Sequence, residues 1–249
     1  MITIKSKSQI QKLRDAGKIV AQTHQLLKEH IKEGITTYEL DYLAEKYIRK
    51  CGAIPSFKGY GGFKGSICAS LNSVVVHGIP SKDVVLKNGD IISIDIGAFY
   101  NGYHGDSAKT HAVGKISEVD KKLIEVTRQS FYEGIKNAVV GNRLSDISHA
   151  VQVYVEKNGF SVIRDYVGHG VGEKLHEDPQ IPNYGNPGRG PRLQEGMVIA
   201  VEPMVAIGTY KVKVLQDGWT AVMLDGKNAA HYEHTLTITD GEPELLTIL

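Results

Sequence analysis

The stretch Leu86-Lys87-Asn88-Gly89-Asp90-Ile91-Ile92-Ser93-Ile94-Asp95 returns 107 residues later as Leu193-Gln194-Glu195-Gly196-Met197-Val198-Ile199-Ala200-Val201-Glu202, with the Leu, the Gly, the apolar pattern and the terminal acid all preserved. The same spacing aligns Gly34 with Gly141, Leu40 with Ile147, Tyr47 with Tyr154 and Gly52 with Gly159. A chain that repeats itself in this way is expected to fold as two related halves, here about 8–113 and 117–240, each running helix, helix, then sheet. Asp95 and Glu202 would then occupy equivalent places and converge near the pseudo-twofold axis.

The elements between these landmarks read as a mixture of helices and short strands. Ile10, Leu13, Gly17, Val20 and Leu27 mark a first helix over 8–29 with Ser8 as its N-cap, and Thr36 with Glu39 opens a second that Gly52 closes. Ser117 and Asp120 precede a third helix reaching Ala138, and Ser145 opens a fourth that stops at Asn158-Gly159. β-Branched runs predict strands over 73–76, 90–96, 197–202, 212–215 and 231–239, and the Gly- and Pro-rich segment 182–191 reads as a loop. The 249 residues are expected to form one compact catalytic domain of the α+β class.

Composition narrows the function. With 29 basic and 28 acidic side chains there is no footprint for specific nucleic-acid binding. No apolar run approaches the ~20 residues of a membrane span, so no membrane association and a cytoplasmic location are expected. The two cysteines, Cys51 and Cys68, form no Cys-x-x-Cys and read as reduced packing residues.

The chemistry lies in acids embedded in apolar strands. Alternation in 91–97 places Ile92, Ile94 and Ile96 on one face and Asp95 on the other. A carboxylate there needs a compensating partner, because burial of an unpaired charge costs several kcal/mol. Asp106 follows at hairpin distance, and Glu202 and Glu233 repeat the pattern. One acid in a strand is ordinarily a solvated edge residue. Four with no Lys or Arg beside them would repel one another unless they shared cations.

His169, flanked by glycines in Gly-His-Gly-Val-Gly, is the natural nitrogen donor. Oxygen-rich coordination with one imidazole suits Mn, Fe, Co or Zn, and two ions sharing carboxylates would stand roughly 3.5–4 Å apart. His77 and His176 fall where such a site could use them, while His24, His30, His104, His111, His149, His231 and His234 read as structural or exposed.

Asp95-x10-Asp106, Gly168 to Gly172, Glu202-Pro203-Met204 and Tyr232-Glu233-His234-Thr235 together resemble the ligand set of the pita-bread metallopeptidases. Asn72-x4-His77-Gly78-Ile79-Pro80, Tyr60-Gly61-Gly62-Phe63 and His176-Glu177-Asp178-Pro179 narrow the resemblance to type I methionine aminopeptidases, over nearly the whole chain. The resemblance implies two pseudo-symmetric halves with helices covering a curved antiparallel sheet. It implies hydrolytic removal of an N-terminal methionine when the second residue is small. By it, Asp95 chelates one divalent ion, His169 and Glu202 bind another, and Asp106 and Glu233 bridge the two.

Glu202 is further implied as general base, His176 as the partner of the carbonyl oxygen and His77 of the scissile nitrogen. Tyr60, Phe63, Cys68, Leu175 and Trp219 are implied as the methionine pocket, with Phe63 and Leu175 departing from the Tyr and Phe of the enterobacterial pattern. A monovalent cation near Asn72 and Val74 belongs to the same set of expectations. So do a monomeric state, nascent polypeptide N-termini as substrates and the ribosome as a partner.

Only 30 residues separate Glu202 from Glu233, too few for the helical insertion of type II enzymes. An X-Pro peptidase on the same scaffold, disfavoured by the expected lack of a separate first domain, and a metal-free binding module are the competing readings.

Overall fold

The computed structural model describes residues 1–249. Its four helices are α1 (Lys7–His30), α2 (Thr37–Lys50), α3 (Glu118–Ile135) and α4 (Leu144–Lys157). α1 starts earlier than the Ser8 cap expected from sequence. Ser6 and Gln9 form a reciprocal capping box, in which Gln9 N–H donates to Ser6 Oγ and Ser6 N–H donates to Gln9 Oε1, satisfying two otherwise orphaned donors. Thr36 and Glu39 cap α2 in the same manner.

α3 begins behind Ser117, and its end is tightened by Asn137 N–H and Ala138 N–H donating to Gly134 O and Ile135 O, so it stops short of Ala138. Arg143, not Ser145, is the N-cap of α4. Asp146 accepts the Arg143 N–H at 2.7 Å, and the Ser145 hydroxyl instead accepts from Arg189 N–H.

The helices cover antiparallel sheets, an α+β arrangement. In one sheet the Ile91–Tyr100 strand pairs with Ile54–Pro55, Ile67–Leu71 and Tyr103–Ala112. In another, Glu244–Leu245, His234–Thr237, Val198–Val201, Gly168–Gly170 and Glu177–Ile181 follow in that order. Ile19, Val20 and Leu27 of α1 pack with Leu40, Ala44 and Ile48 of α2 onto Ile92, Ile94 and Ile96. Phe131, Leu144 and Ile147 of α3 and α4 pack onto Ile199, Val201 and Leu236. Each of the larger side chains contributes roughly 1.5–3 kcal/mol through its burial.

The spacing of 107 residues recurs in backbone geometry. Isolated bridges join Thr36 to Val85 and Arg143 to Arg192. Gly34 N–H donates to Leu86 O as Gly141 N–H donates to Leu193 O. Gly34 and Gly141 sit at φ 89° and 91°.

The run expected as one strand over 231–239 is two. Ala229–His231 pairs with Met204–Ala206, whereas His234–Thr237 pairs with Val198–Val201. Glu233 stands in the gap, where its N–H donates to Ala108 O at 2.8 Å and its C=O accepts from Ala108 N–H at 3.3 Å. Asp106 and Thr235 are tied alongside by two further hydrogen bonds, of 3.2 and 2.8 Å. These contacts stitch the two sheets together.

α1 lies so close to the Tyr103–Ala112 strand that only glycine fits at the crossing. A Cβ on Gly105 would meet Gly17 N at 2.6 Å, and one on Gly17 would meet Leu246 O at 2.1 Å. Both obstacles are backbone, so Gly17→Ala is expected to lower the unfolding free energy by about 1–3 kcal/mol in chemical denaturation. An unchanged midpoint would show that the helix is free to move away.

Candidate active site

Register brings the acids together. Asp95 lies opposite Ala108 and Asp106 opposite Gly97, so the two carboxylates occupy diagonal positions on one face of the hairpin. Glu202 follows the Val198–Val201 strand, His169 lies within the neighbouring Gly168–Gly170 strand, and Glu233 arrives at the break described above. All five line a cleft of about 1060 Å³. Asp106 and Glu233 are buried, His169 is 8% exposed, and Asp95 and Glu202 are partly exposed.

The oxygens and nitrogens form two groups of three whose donor atoms lie within 4.8 Å of one another. These are Asp106, His169 and Glu233, and Glu202, His231 and Glu233. Glu233 belongs to both, and Asp95 to neither. His231, read from sequence as structural or exposed, is 2% exposed with Nε2 3.4 Å from Glu202 Oε2. A signal was available, because residues two apart in extended chain share a face and Glu233 was already suspected.

The electrostatics favour a cation. Burial pushes Asp95 up to about 7 and Glu202 to about 8. It also drives Asp106 and Glu233 well above the usual carboxylate range, reinforced by the neighbouring acids. Asp95 Oδ1, Asp106 Oδ1 and Glu233 Oε1 are buried without a hydrogen-bond partner.

Burial holds His169 near 4, so the ring is neutral. Its Nδ1–H donates to Gly170 O at 2.9 Å, which leaves a lone pair on Nε2. That lone pair faces Asp106 Oδ2 and Glu202 Oε1, each at 3.6 Å. Lone pairs aimed at one another across a buried gap are unfavourable unless a positive charge sits between them. The donor set therefore fits divalent metal.

Beside the acids, Phe63, Cys68 and Leu175 pack with Phe57 into a small apolar cluster that Trp219 closes, its ring edge-on to Phe63 with centroids 5.2 Å apart. Phe57 had no motif to mark it. Cys68 lies opposite Asp95 in the ladder, and burial together with that carboxylate pushes its thiol well up, so it stays a neutral sulfur. Tyr60 is 46% exposed, and its hydroxyl lies 2.8 Å from His176 Nδ1. It therefore serves the rim more than the wall. His176 stacks edge-on to His169, with centroids 4.3 Å apart. His77 occupies a left-handed backbone position at φ 59°, its ring between Tyr166 and Trp219.

Comparison with known proteins gives a consistent answer. Residues 11–240 match the model of metallopeptidase family M24. Methionine aminopeptidase 1 of Bacillus subtilis is 61% identical over 247 residues, covering 99% of both chains. The crystal structure of methionine aminopeptidase from Thermotoga maritima superposes with a TM-score of 0.99 at 50% identity over the full length of both. Prolidase from Pyrococcus furiosus superposes with a TM-score of 0.81 at 25% identity, over 99% of this chain and 65% of its own. The architecture is the pita-bread fold.

Proposed function

The chain belongs to metallopeptidase family M24 and, within it, to the methionine aminopeptidases, and from that premise we propose that its cleft removes the N-terminal methionine of nascent polypeptides whose second residue is small. The observation that carries this reading is buried Glu233, shared by two donor sets in the cleft that also holds the apolar cluster around Cys68. Asp95, Asp106, His169, Glu202 and Glu233 would hold two divalent ions, of Mn, Fe, Co or Zn. His231 stands against Glu202 and Glu233 as a further donor. When bound, such ions supply Lewis acidity that makes water nucleophilic near neutral pH and stabilises charge developing on a carbonyl oxygen.

The side chains do the rest. In a cationic field Glu202 is a carboxylate and takes a proton from the attacking water. The Nδ1 of His176 is engaged by the Tyr60 hydroxyl, so Nε2 is the nitrogen left for the substrate carbonyl oxygen. His77, held by its bent backbone, serves the scissile nitrogen. The methionine thioether lies against Phe63, Leu175, Trp219 and the neutral Cys68, surfaces that favour a soft, unbranched side chain.

A monovalent cation near Asn72 and Val74, where the backbone turns at φ 54° on Asn72, belongs to the same reading. So does action as a cytoplasmic monomer at or near the ribosome. No helix is long and apolar enough to cross a membrane.

The test is release of the first residue from Met-Ala-Ser and from Ala-Pro-Ala in each divalent metal. Cleavage of the first and not the second is expected. Preference for Ala-Pro-Ala would assign the X-Pro activity, and no turnover of either peptide in any metal would leave a binding module.

A further inference from the structure

A second cavity, of about 520 Å³, opens between α1, α3 and the Tyr103–Ala112 strand. It is lined by Lys109 and His111, which alternate away from the face that carries Asp106. Its charge is one-sided. Lys28, Lys109 and Arg128 all reach it. Arg128 is held on the outer side by Glu125. Lys109 is half-buried, and what acts on its ammonium is burial and the nearby Lys28, with no carboxylate among its influences.

Two imidazoles complete the wall. His24 is 2% exposed and donates Nε2–H to Ser107 O at 2.8 Å. Its Nδ1, like Nε2 of His111, is buried with no hydrogen-bond partner. The half-buried Lys109 ammonium and the orphaned Nε2 of His111 favour a ligand that brings negative charge and acceptor oxygens, and the lone pair on His24 Nδ1 favours one that also carries a donor.

We propose that this cavity binds a small phosphate monoester, with its phosphoryl oxygens at Lys28, Lys109 and Nε2 of His111, a hydroxyl of its organic part donating to Nδ1 of His24, and its apolar part against Ile124 and Ile248. A phosphoryl group matches two ammonium groups in charge and offers three strong acceptors, whereas a single carboxylate would leave one cation uncompensated. The volume lies within the roughly 300–1,000 Å³ typical of small-molecule sites and leaves room for more than a bare oxyanion. Buried His231 borders both this cavity and the metal site, but the inference assigns it no contact with the ligand and stands apart from the peptidase reading.

Equilibrium dialysis of the metal-loaded protein against labelled inorganic phosphate, at constant ionic strength, tests it, with AMP as the displacing monoester. One phosphate per chain is expected, displaced by AMP more effectively than by sulfate. Lys109→Met, and Lys28→Met on the exposed face of α1, should each weaken uptake by about tenfold or more, the loss of one charge-assisted contact. Turnover of Met-Ala-Ser should be unchanged in both variants, and Asp106→Asn should retain phosphate. Uptake indifferent to both lysine variants, or lost only in Asp106→Asn, overturns the site. Equal displacement by sulfate and AMP overturns the monoester.

Discussion

Glu202→Gln is expected to lower turnover of Met-Ala-Ser by at least ~100-fold while the protein remains folded. The substitution preserves shape, removes the proton acceptor and removes one negative charge from a buried cluster. Because burial already pushes Glu202 up to about 8, the metal-free fold holds this carboxyl at a cost, and a neutral amide relieves it. Metal-free Glu202→Gln should therefore unfold at the same or a higher denaturant concentration than the parent protein. Lower activity with undiminished stability separates a chemical role from a structural one. Near-normal turnover would reject Glu202 as the base, and a large fall in stability would show that its main role is to hold the fold.

The second large effect is on stability as pH and metal are varied. Asp95, ordinarily near 3.8, stands at about 7 in the fold, and Glu202, ordinarily near 4.5, at about 8. Between the ordinary and raised values the folded chain retains protons that the unfolded chain releases. Stability from these groups is therefore complete below about pH 4, falls as pH climbs, and levels off above about 8.

Divalent ions reverse the slope, since they bind the ionised carboxylates and compete with protons. At a hundred times its dissociation constant one ion adds about 2.7 kcal/mol, which for a chain of this size raises Tm by roughly 5–10 °C. Thermal unfolding between pH 7 and 9, above the range in which buried neutral histidines such as His169 and His231 contribute stability of the opposite slope, with chelator and with Mn or Zn, measures both. A metal-free Tm that does not fall over this range, or an equal Tm with and without metal, would contradict the electrostatic account of the cluster.

Much of this was legible in the residues. Alternation around Asp95 identified the face it shares with Asp106, and the glycines around His169 marked the donor that hydrogen bonding to Gly170 now orients. What escaped notice shares a cause. The exchange of partners at Glu233 depends on Ala108, 125 positions earlier, and no local pattern reports a pairing across that distance. Nothing in the spacing of His231 separates it from the other histidines near strands, which read as structural or exposed, and Phe57, one aromatic near a turn, has no distinctive spacing either. The helix starts at Ser6 and Arg143 were missed for a more local reason: several polar residues competed for each cap, and the reciprocal bonds of Gln9 and Asp146 decided between them.

The stitching of Ala108 to Glu233 and of Asp106 to Thr235 makes the floor of the proposed active site a product of closure. A chain still opening or refolding along that line holds Asp95 and Asp106 on one lobe, with His169, Glu202 and Glu233 on the other. Neither lobe alone offers the full constellation. Incomplete molecules are thereby disarmed, and hydrolytic competence reports that the whole polypeptide has come together.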